Sequence, residues 1–527
     1  MEKKSSNIIL IITGAILFNL LFWEEKLAVN TLIFDIFILT AIFRIYPTSL
    51  KNNTVKLLLM GHLVCIAMII FHNTLLSKIA FSITLLLLVG FSEYVHRSAW
   101  YAGGSVLLNF VLFIAGFFEE LQKRKQVTNS RLRISRIMRF LFFPVLLCFI
   151  FFIVYSFANT VFADLISKAT LSIREFFKHF FEVISIPRIL FLLLGLYITG
   201  SLLLKSKFDY FSQRDKQHND NLERKRLPRY IRINKSLYRF SMYMMGGFGK
   251  GILALKSENA IGIASMLLLN ILLLLVNIID IKYVWLNFQY SPDINVSNFV
   301  HEGTGLLIVS IIMAMLVVLF YFKGNLNFYQ KNKWLKYGAY LWILQNAILV
   351  FSVFMRDYYY ISQLGLAYKR IGVLFFLLMV LIGLITVAIK IYYKKTSYFL
   401  FRINAWAGLI ILTLSTTVHW DEMMAKYNLA HQNSVTLDIP FLLSLSDKTL
   451  PMLHEEIEMF KQQEELQKKP QDENDMNCKT CYVEILSKRE TEFFERENKY
   501  SWLSWNYADQ SVSNYFSGKS GKATSLK

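Results

Sequence analysis

Apolar runs of about 20 residues recur along almost the whole chain, joined by short polar or basic connections, and this repetition leaves few ways to fold. At a rise of about 1.5 Å per residue, a helical run of that length matches a hydrocarbon layer about 30 Å thick. Only helices and closed barrels satisfy every backbone N–H and C=O away from water, and these runs lack the strict alternation of barrel strands. The expected fold is therefore all-α, a polytopic integral membrane protein with a small helical C-terminal tail. Composition agrees, with 55% hydrophobic and 18% charged residues against roughly 25% charge in soluble domains.

The runs at 7–23, 27–43, 57–76, 79–94, 100–118 and 140–162, then 186–204, 260–280, 303–322, 337–354, 371–389 and 398–418 predict about twelve transmembrane helices. Lys3 and Lys4 precede the first run as in a secretion signal. Phe22-Trp23-Glu24-Glu25 stands where small residues would permit cleavage, so the run reads as an uncleaved span. The organisation expected is a group of about five spans (1–118), a basic loop (119–139), two spans (140–204), a basic segment (205–257), five spans (258–418), a soluble helical tail (419–517) and a disordered end (518–527). Between the two spans of 140–204, Ile166, Ala169, Ile173, Phe177, Phe180 and Ile184 share one helical face, as in a helix lying on the membrane surface.

Lys and Arg are retained on the cytoplasmic side during insertion. The loop with Lys123, Arg124, Lys125, Arg131, Arg133, Arg136 and Arg139, and the segment with Arg224, Lys225, Arg226, Arg229, Arg232 and Lys235, are therefore both expected inside. Counting back from them puts Lys3 and Lys4 outside, against the same rule, so one of the first five spans is miscounted or re-entrant. The net charge of +20 does not require nucleic acid. Insertion bias and attraction to anionic lipid headgroups, about 1 kcal/mol per basic residue near the surface, account for it. The expected partners are the lipid bilayer and anionic headgroups at the basic loops, with a protein partner open to the tail.

Catalytic signatures are missing. Met245-Gly246-Gly247-Phe248-Gly249-Lys250-Gly251 lacks both the earlier glycine and the Ser or Thr that a phosphate loop needs, and no nucleophile elbow or zinc-protease motif occurs. No catalytic or metal-binding residue is assigned, and no cofactor is expected. Cys478 and Cys481 form a C-x-x-C in the tail; a local disulfide, zinc and redox exchange stay open, although no second pair supplies further metal ligands.

The segments Val300-His301-Glu302-Gly303, Leu364-Gly365-Leu366-Ala367-Tyr368-Lys369-Arg370-Ile371-Gly372-Val373 and Ala425-Lys426-Tyr427-Asn428-Leu429, with Leu437-Asp438, Leu445-Ser446 and Trp505-Asn506 in the tail, resemble a bacterial multi-pass membrane family catalogued as a domain of unknown function. The resemblance runs mainly over 257–506, and its wording is closest to Bacteroidota versions. It implies a bacterial cytoplasmic (inner) membrane location and no particular activity.

Polar residues inside spans each cost a few kcal/mol in hydrocarbon unless they face protein or water. Asp35, His62, Gln345 and Asn346 are the candidate intramembrane polar site, with helix-to-helix packing as the plain alternative. Parity of the later spans puts a second set on one membrane face: His301, Glu302, Arg356, Asp357, His419, Asp421 and Glu422. These form a candidate rim site for a ligand or ion, against ordinary solvated helix ends. A non-enzymatic membrane scaffold or sensor working through its tail is the leading expectation. A solute or ion transporter or channel is the alternative, and an enzyme on lipid-linked substrates a weaker one.

Overall fold

The computed structural model describes residues 2–125, 185–205, 208–224, 254–286, 296–322, 324–432, 437–467 and 482–524, with a few single positions besides. Among these residues the regular structure is helical, with one isolated bridge between Asn221 and Lys395. Eight helices are long and apolar enough to cross a membrane, and Ile8–Phe22 and Ile308–Tyr321 are apolar but shorter. The count of about twelve is therefore not reached among the described residues. The expected span 140–162 and the surface helix before 184 lie outside them.

An N-terminal bundle contains α1 (Glu2–Phe22), α2 (Val29–Ile45), α3 (Asn53–Phe71), α4 (Leu75–Glu93), α5 (Ala99–Lys125) and α6 (Ile186–Leu203), with the short α7 (Tyr210–Gln217) at its rim. A second bundle contains α8 (Ala254–Asp280), which widens into a π-helical stretch at Ile281–Leu286, followed by α9 (Val296–Tyr321), α10 (Lys333–Leu364) and α11 (Tyr368–Tyr393). Each bundle has its own apolar core, one around Ile11, Ile38, Ile42 and Leu88, the other around Met266, Ile311, Phe322 and Val353. Helix α12 (Ser397–Ser415) joins them, because Ala405, Trp406 and Leu409 pack against Val55, Leu58 and Ala102. Side-chain caps start several of these helices: Asn52 accepts from Thr54 N, Thr74 from Ser77 N and Thr396 from Phe399 N.

The tail comprises α13 (Trp420–Ala430), α14 (Ile439–Ser444), α15 (Leu450–Glu455), α16 (Ile457–Gln467), α17 (Tyr482–Glu497) and α18 (Tyr507–Thr524). Helices α15 and α16 are separated by a break at Glu456, and α18 continues past Gly518, where the sequence reads as disordered. Leu442, Leu453, Phe460, Leu486 and Phe493 form the tail's core, and the same core takes in Leu366 and Ile371 from the turn between α10 and α11. In water each such side chain contributes about 1.5–3 kcal/mol on burial. The tail is thus fused to the membrane helices rather than tethered to them.

Among the described residues, the connections at Lys26, Asn73 and Leu366 meet the tail, and others gather on a far side. Lys26, between α1 and α2, and Asn73, between α3 and α4, contact tail residues Glu497 and Lys448. On the far side Lys205 donates to the Glu93 carbonyl at 2.8 Å, Leu222 N to the Lys394 carbonyl at 2.8 Å, and Lys390 to the Phe322 carbonyl at 2.7 Å. Lys390 is buried at 1% exposure, and its charge is matched to the carbonyl end of α9.

Helix α5 does not return the chain to the tail side, although its length and composition allow it. Ala102 and Val106 lie against Gly90, Asn109 donates to Glu93 at 2.8 Å, Phe113 rests on Gly200 and Gly116 meets Leu204. Neighbours thus rise in number together, so α5 runs in the same sense as the last turns of α4 and α6, towards the far side. A Cβ on Gly90 would stand 2.6 Å from the Ala102 carbonyl oxygen, so this close crossing requires glycine. The mismatch in the charge count is thereby removed. Helix α1 runs antiparallel to α6, with Gly14 against Thr199 and Ala15 and Phe18 against Gly195, and its first turn, with Lys3 and Lys4, stands on the far side with the other basic connections. In a variant with the native cysteines replaced, cysteines introduced at Lys51, Glu119 and Asn221 should react with an impermeant maleimide from the same side, and one at Glu24 from the other. Labelling of Glu119 together with Glu24 would show that α5 crosses.

Candidate functional site

Asp35 on α2 and His62 on α3 are 1% and 0% exposed, and they meet. His62 Nε2 lies 2.9 Å from Asp35 Oδ1, and Nδ1 lies 2.8 Å from Thr84 Oγ1 on α4. The Thr84 hydroxyl also lies 2.8 Å from the Ala80 carbonyl and 3.0 Å from the Phe81 carbonyl. The buried carboxyl and imidazole answer each other in a low-dielectric site, where either charge alone would carry a large desolvation cost. Phe81 stacks on the imidazole at 4.9 Å and closes one side.

Gln345 and Asn346, grouped with Asp35 in the sequence, belong to the other bundle. Gln345 Nε2 donates to Asn270 Oδ1 at 2.8 Å, Asn277 Nδ2 to the Gln345 carbonyl at 3.1 Å, and Asn346 Nδ2 to the Trp342 carbonyl at 2.7 Å. The polar residues predicted inside spans therefore form two separate centres.

The candidate rim residues also divide. Arg356 donates to Asp280 Oδ1 at 2.6 Å, and Ser352 to Asp280 Oδ2 at 2.6 Å, in a cluster buried between α8 and α10. Asp357 is 1% exposed on the same helix. His419, Asp421 and Glu422 stand where α12 meets the tail. His419 Nδ1 accepts from Glu422 N at 3.2 Å and caps α13, while its ring lies 5.4 Å from that of His72. Asp421 accepts from the Tyr368 hydroxyl at 2.6 Å and from Ser446 N at 3.3 Å. His301 and Glu302 belong to the first turns of α9, with side chains outside the described residues, as are Cys478 and Cys481. Among the described residues no group of three or more His, Cys, Asp or Glu side chains is arranged to hold a metal.

Burial governs the titration of this junction. Burial pushes His419 down to about 4, with Lys448 and His72 nearby acting the same way and Asp421 opposing them. Lys448, which donates to the Asn73 carbonyl at 2.6 Å, is pushed down to about 8 by burial, with Lys78 and Lys26 adding to the shift and Asp509 and Asp421 opposing it.

Two of the segments on which the family resemblance rests meet here. Helix α10 ends at Gly365 with φ +80°, the left-handed region that favours glycine. Asn428 on α13 then pairs with Leu366 in both directions, accepting from its N–H at 2.6 Å and donating to its carbonyl at 2.9 Å. A Cβ at Gly365 would fall 2.3 Å from Asn428 Oδ1. Beside this joint, Leu364, Arg370, Asn428 and Asp438 line a cleft of about 80 Å³, room for a few waters rather than an organic solute. A family model described as a domain of unknown function (DUF4153) matches residues 9–456. The chain belongs to that family. No curated protein and no solved structure matches it. The DUF4153 match takes in both bundles and the tail as far as α15, so the joint lies inside it.

One cluster on the far side of this DUF4153 chain escaped the sequence reading. Asp215 on α7, 1% exposed, accepts from the backbone of Arg97 at 2.6 Å and Ser98 at 3.3 Å, from His96 at 3.3 Å, and from the Tyr398 hydroxyl. Burial alone would raise its carboxyl, but these hydrogen bonds hold it below the ordinary range. Asp220 bridges Arg97 at 2.6 Å and Arg402 at 2.8 Å. The cluster pins the start of the basic segment to α5 and α12. Its members come from three distant stretches, and none has a local spacing that would have marked it.

Two outcomes follow from these centres. Asp35→Leu alone should cost about 3–5 kcal/mol by leaving His62 without its partner, whereas Asp35→Leu with His62→Leu should restore most of it; additive losses in denaturant unfolding would refute the pairing. For His419, the free histidine value of 6.5 lies above the folded value of about 4. The unfolded chain therefore binds the extra proton, and the stability from neutral His419 is complete above pH 6.5 and lost as pH falls towards 4, by at most about 3 kcal/mol. His419→Asn keeps the cap and should flatten that slope, read from thermal unfolding across the window; an unchanged slope would assign it elsewhere.

Proposed function

We propose that this protein is a non-enzymatic scaffold or sensor of a bacterial cytoplasmic (inner) membrane, in which the tail is a rigid extension of the membrane helices. The observation that carries this reading is the joint itself: Asn428 locked to Leu366, with a core shared between the tail and the α10–α11 turn. A second clamp supports it. Lys26 bridges Glu497 at 2.5 Å and Asp509 at 2.6 Å, its backbone N–H donates to Ser504 at 2.9 Å, and Val29 N–H donates to the Trp505 carbonyl at 3.3 Å. A change in how α1, α2 and α10 pack is thereby passed to α17 and α18 without a flexible link, and a protein partner reading the tail would read the bundles. The basic connections support a reading with the far side cytoplasmic, against anionic headgroups, and the tail on the opposite side. The transporter reading is kept alive by one feature, the buried Asp35–His62 pair, since ionisable groups within spans mark proton relays in many carriers.

Lys26→Ala leaves two carboxylates at the joint without their cation and should weaken tail docking by about 2 kcal/mol. Protease cleavage between 457 and 500 should speed up about tenfold or more, with the bundles still intact. Cleavage at the parent rate would mean that the clamp does not couple the two parts.

A further inference from the structure

The segment Trp502-Leu503-Ser504-Trp505-Asn506-Tyr507, between α17 and α18, divides its side chains between two environments. Leu503 packs on the apolar core of the N-terminal bundle. Ser504 is buried at the turn between α1 and α2, where its hydroxyl donates to Glu25 and accepts from Lys26 N at 2.9 Å. Asn506 is buried as well and donates to Asp509 at 2.6 Å. The three aromatic rings are left out of this contact: Trp502, Trp505 and Tyr507 are 70%, 42% and 57% exposed. Backbone bonds hold them there, since Ser501 N donates to Glu25 at 3.2 Å and the Trp505 carbonyl accepts from Val29 N.

These partners set the depth of the rings. Glu25, Lys26 and Val29 link α1 to α2, so the segment lies level with the ends of the membrane helices. Tyr507 stands edge to face with Phe71, the last residue of α3, at 6.1 Å. Phe71 closes a stripe of exposed apolar residues, Leu57, Met60, Val64 and Phe71, which recur at helical spacing away from the buried Leu58, His62, Cys65 and Ile69. On a helix long and apolar enough to cross a membrane, such a stripe faces acyl chains. Tyr507 therefore continues a lipid-facing surface past its last turn, and Leu75, in the first turn of α4, is exposed in the same way. The segment itself carries no charged residue, so its chemistry fits the ester and glycerol layer of a bilayer rather than an anionic headgroup. Indole and phenol rings, apolar in body and polar at one edge, favour that layer.

We propose that Trp502, Trp505 and Tyr507 dock into the interfacial layer of the bilayer and hold the start of α18 at a fixed depth. The inference gives the tail a lipid contact of its own and does not depend on a protein partner reading the tail.

The test uses the full chain in phosphatidylcholine nanodiscs, with its four native cysteines replaced and a bimane attached at Trp502→Cys, Trp505→Cys or Tyr507→Cys, one at a time. Lipids brominated near the glycerol end of the acyl chain should lower the emission of each label about twofold or more, whereas iodide in the water should change it little. Labelling removes the ring at the labelled position, so the native indoles are read separately. The tryptophan emission that the parent has in excess of the Trp502→Phe, Trp505→Phe double variant should be quenched by the same lipids. Labels and indoles quenched by iodide but not by brominated lipid would overturn the proposal and leave a water-facing surface. Shielding from both quenchers would overturn it equally, as a surface covered by protein such as a second copy of this chain.

Discussion

A polar group in hydrocarbon has no water to answer it, and that constraint places several of the described polar residues inside these bundles. Asp35 is answered by His62 and His62 by Thr84. The Lys390 ammonium is answered by the carbonyl end of α9, and Glu93 by both hydrogens of Asn109 and, through its carbonyl, by Lys205. These bonds join helices distant in sequence, so satisfying the polar groups also sets which helices are neighbours. Apolar packing between spans carries no hydrophobic drive in lipid, which leaves close glycine contacts and buried hydrogen bonds to specify the arrangement. The crossing of Gly90 with Ala102 and the Asn109–Glu93 bond act together in this way on α5.

Outside the membrane the balance changes. The tail is held by water-driven burial of Phe460, Leu486 and Phe493 and by side chains that cap backbone ends, such as Arg489 on the Leu443 and Leu445 carbonyls. The joint between the two regimes gathers charged residues of its own. Lys26, Lys448, Asp509, Asp421 and His419 are neither fully solvated nor in hydrocarbon, and their shifted titration at Lys448 and His419 reflects that intermediate setting. No glycine-rich or long polar linker separates α12 from α13, so the tail follows directly on the helix that precedes it.

The far side follows a different logic. Asp215 and Asp220 draw His96, Arg97, Tyr398 and Arg402 together and seat His218 between the rings of Tyr101 and Tyr398, at 5.8 and 5.3 Å. The rim of the N-terminal bundle is thereby tied to the start of α12, the helix that also contacts the second bundle. The two bundles are consequently braced at the far side by ion pairs and at the tail side by the joint.

Much was legible from the order of residues alone. Transfer free energy is a sum over local side chains, so hydropathy located the spans of α3, α4, α6, α8, α10, α11 and α12, and composition marked the tail. Asp35, His62 and Gln345 stood out for the same reason, as local exceptions to an apolar run. The segments around Leu366 and Asn428 marked the family before their contact was known. Partner and direction were not legible, because both depend on packing between segments far apart in the chain. His62 lies 27 residues from Asp35 and 22 from Thr84, and no spacing rule joins them. Helix α5 has the composition of a crossing helix, yet its contacts with α4 and α6 send it the same way as both. The rim residues share a side by parity, but Arg356 turns to Asp280 and His419 to the tail, since each follows its nearest buried countercharge or cap rather than the count of spans.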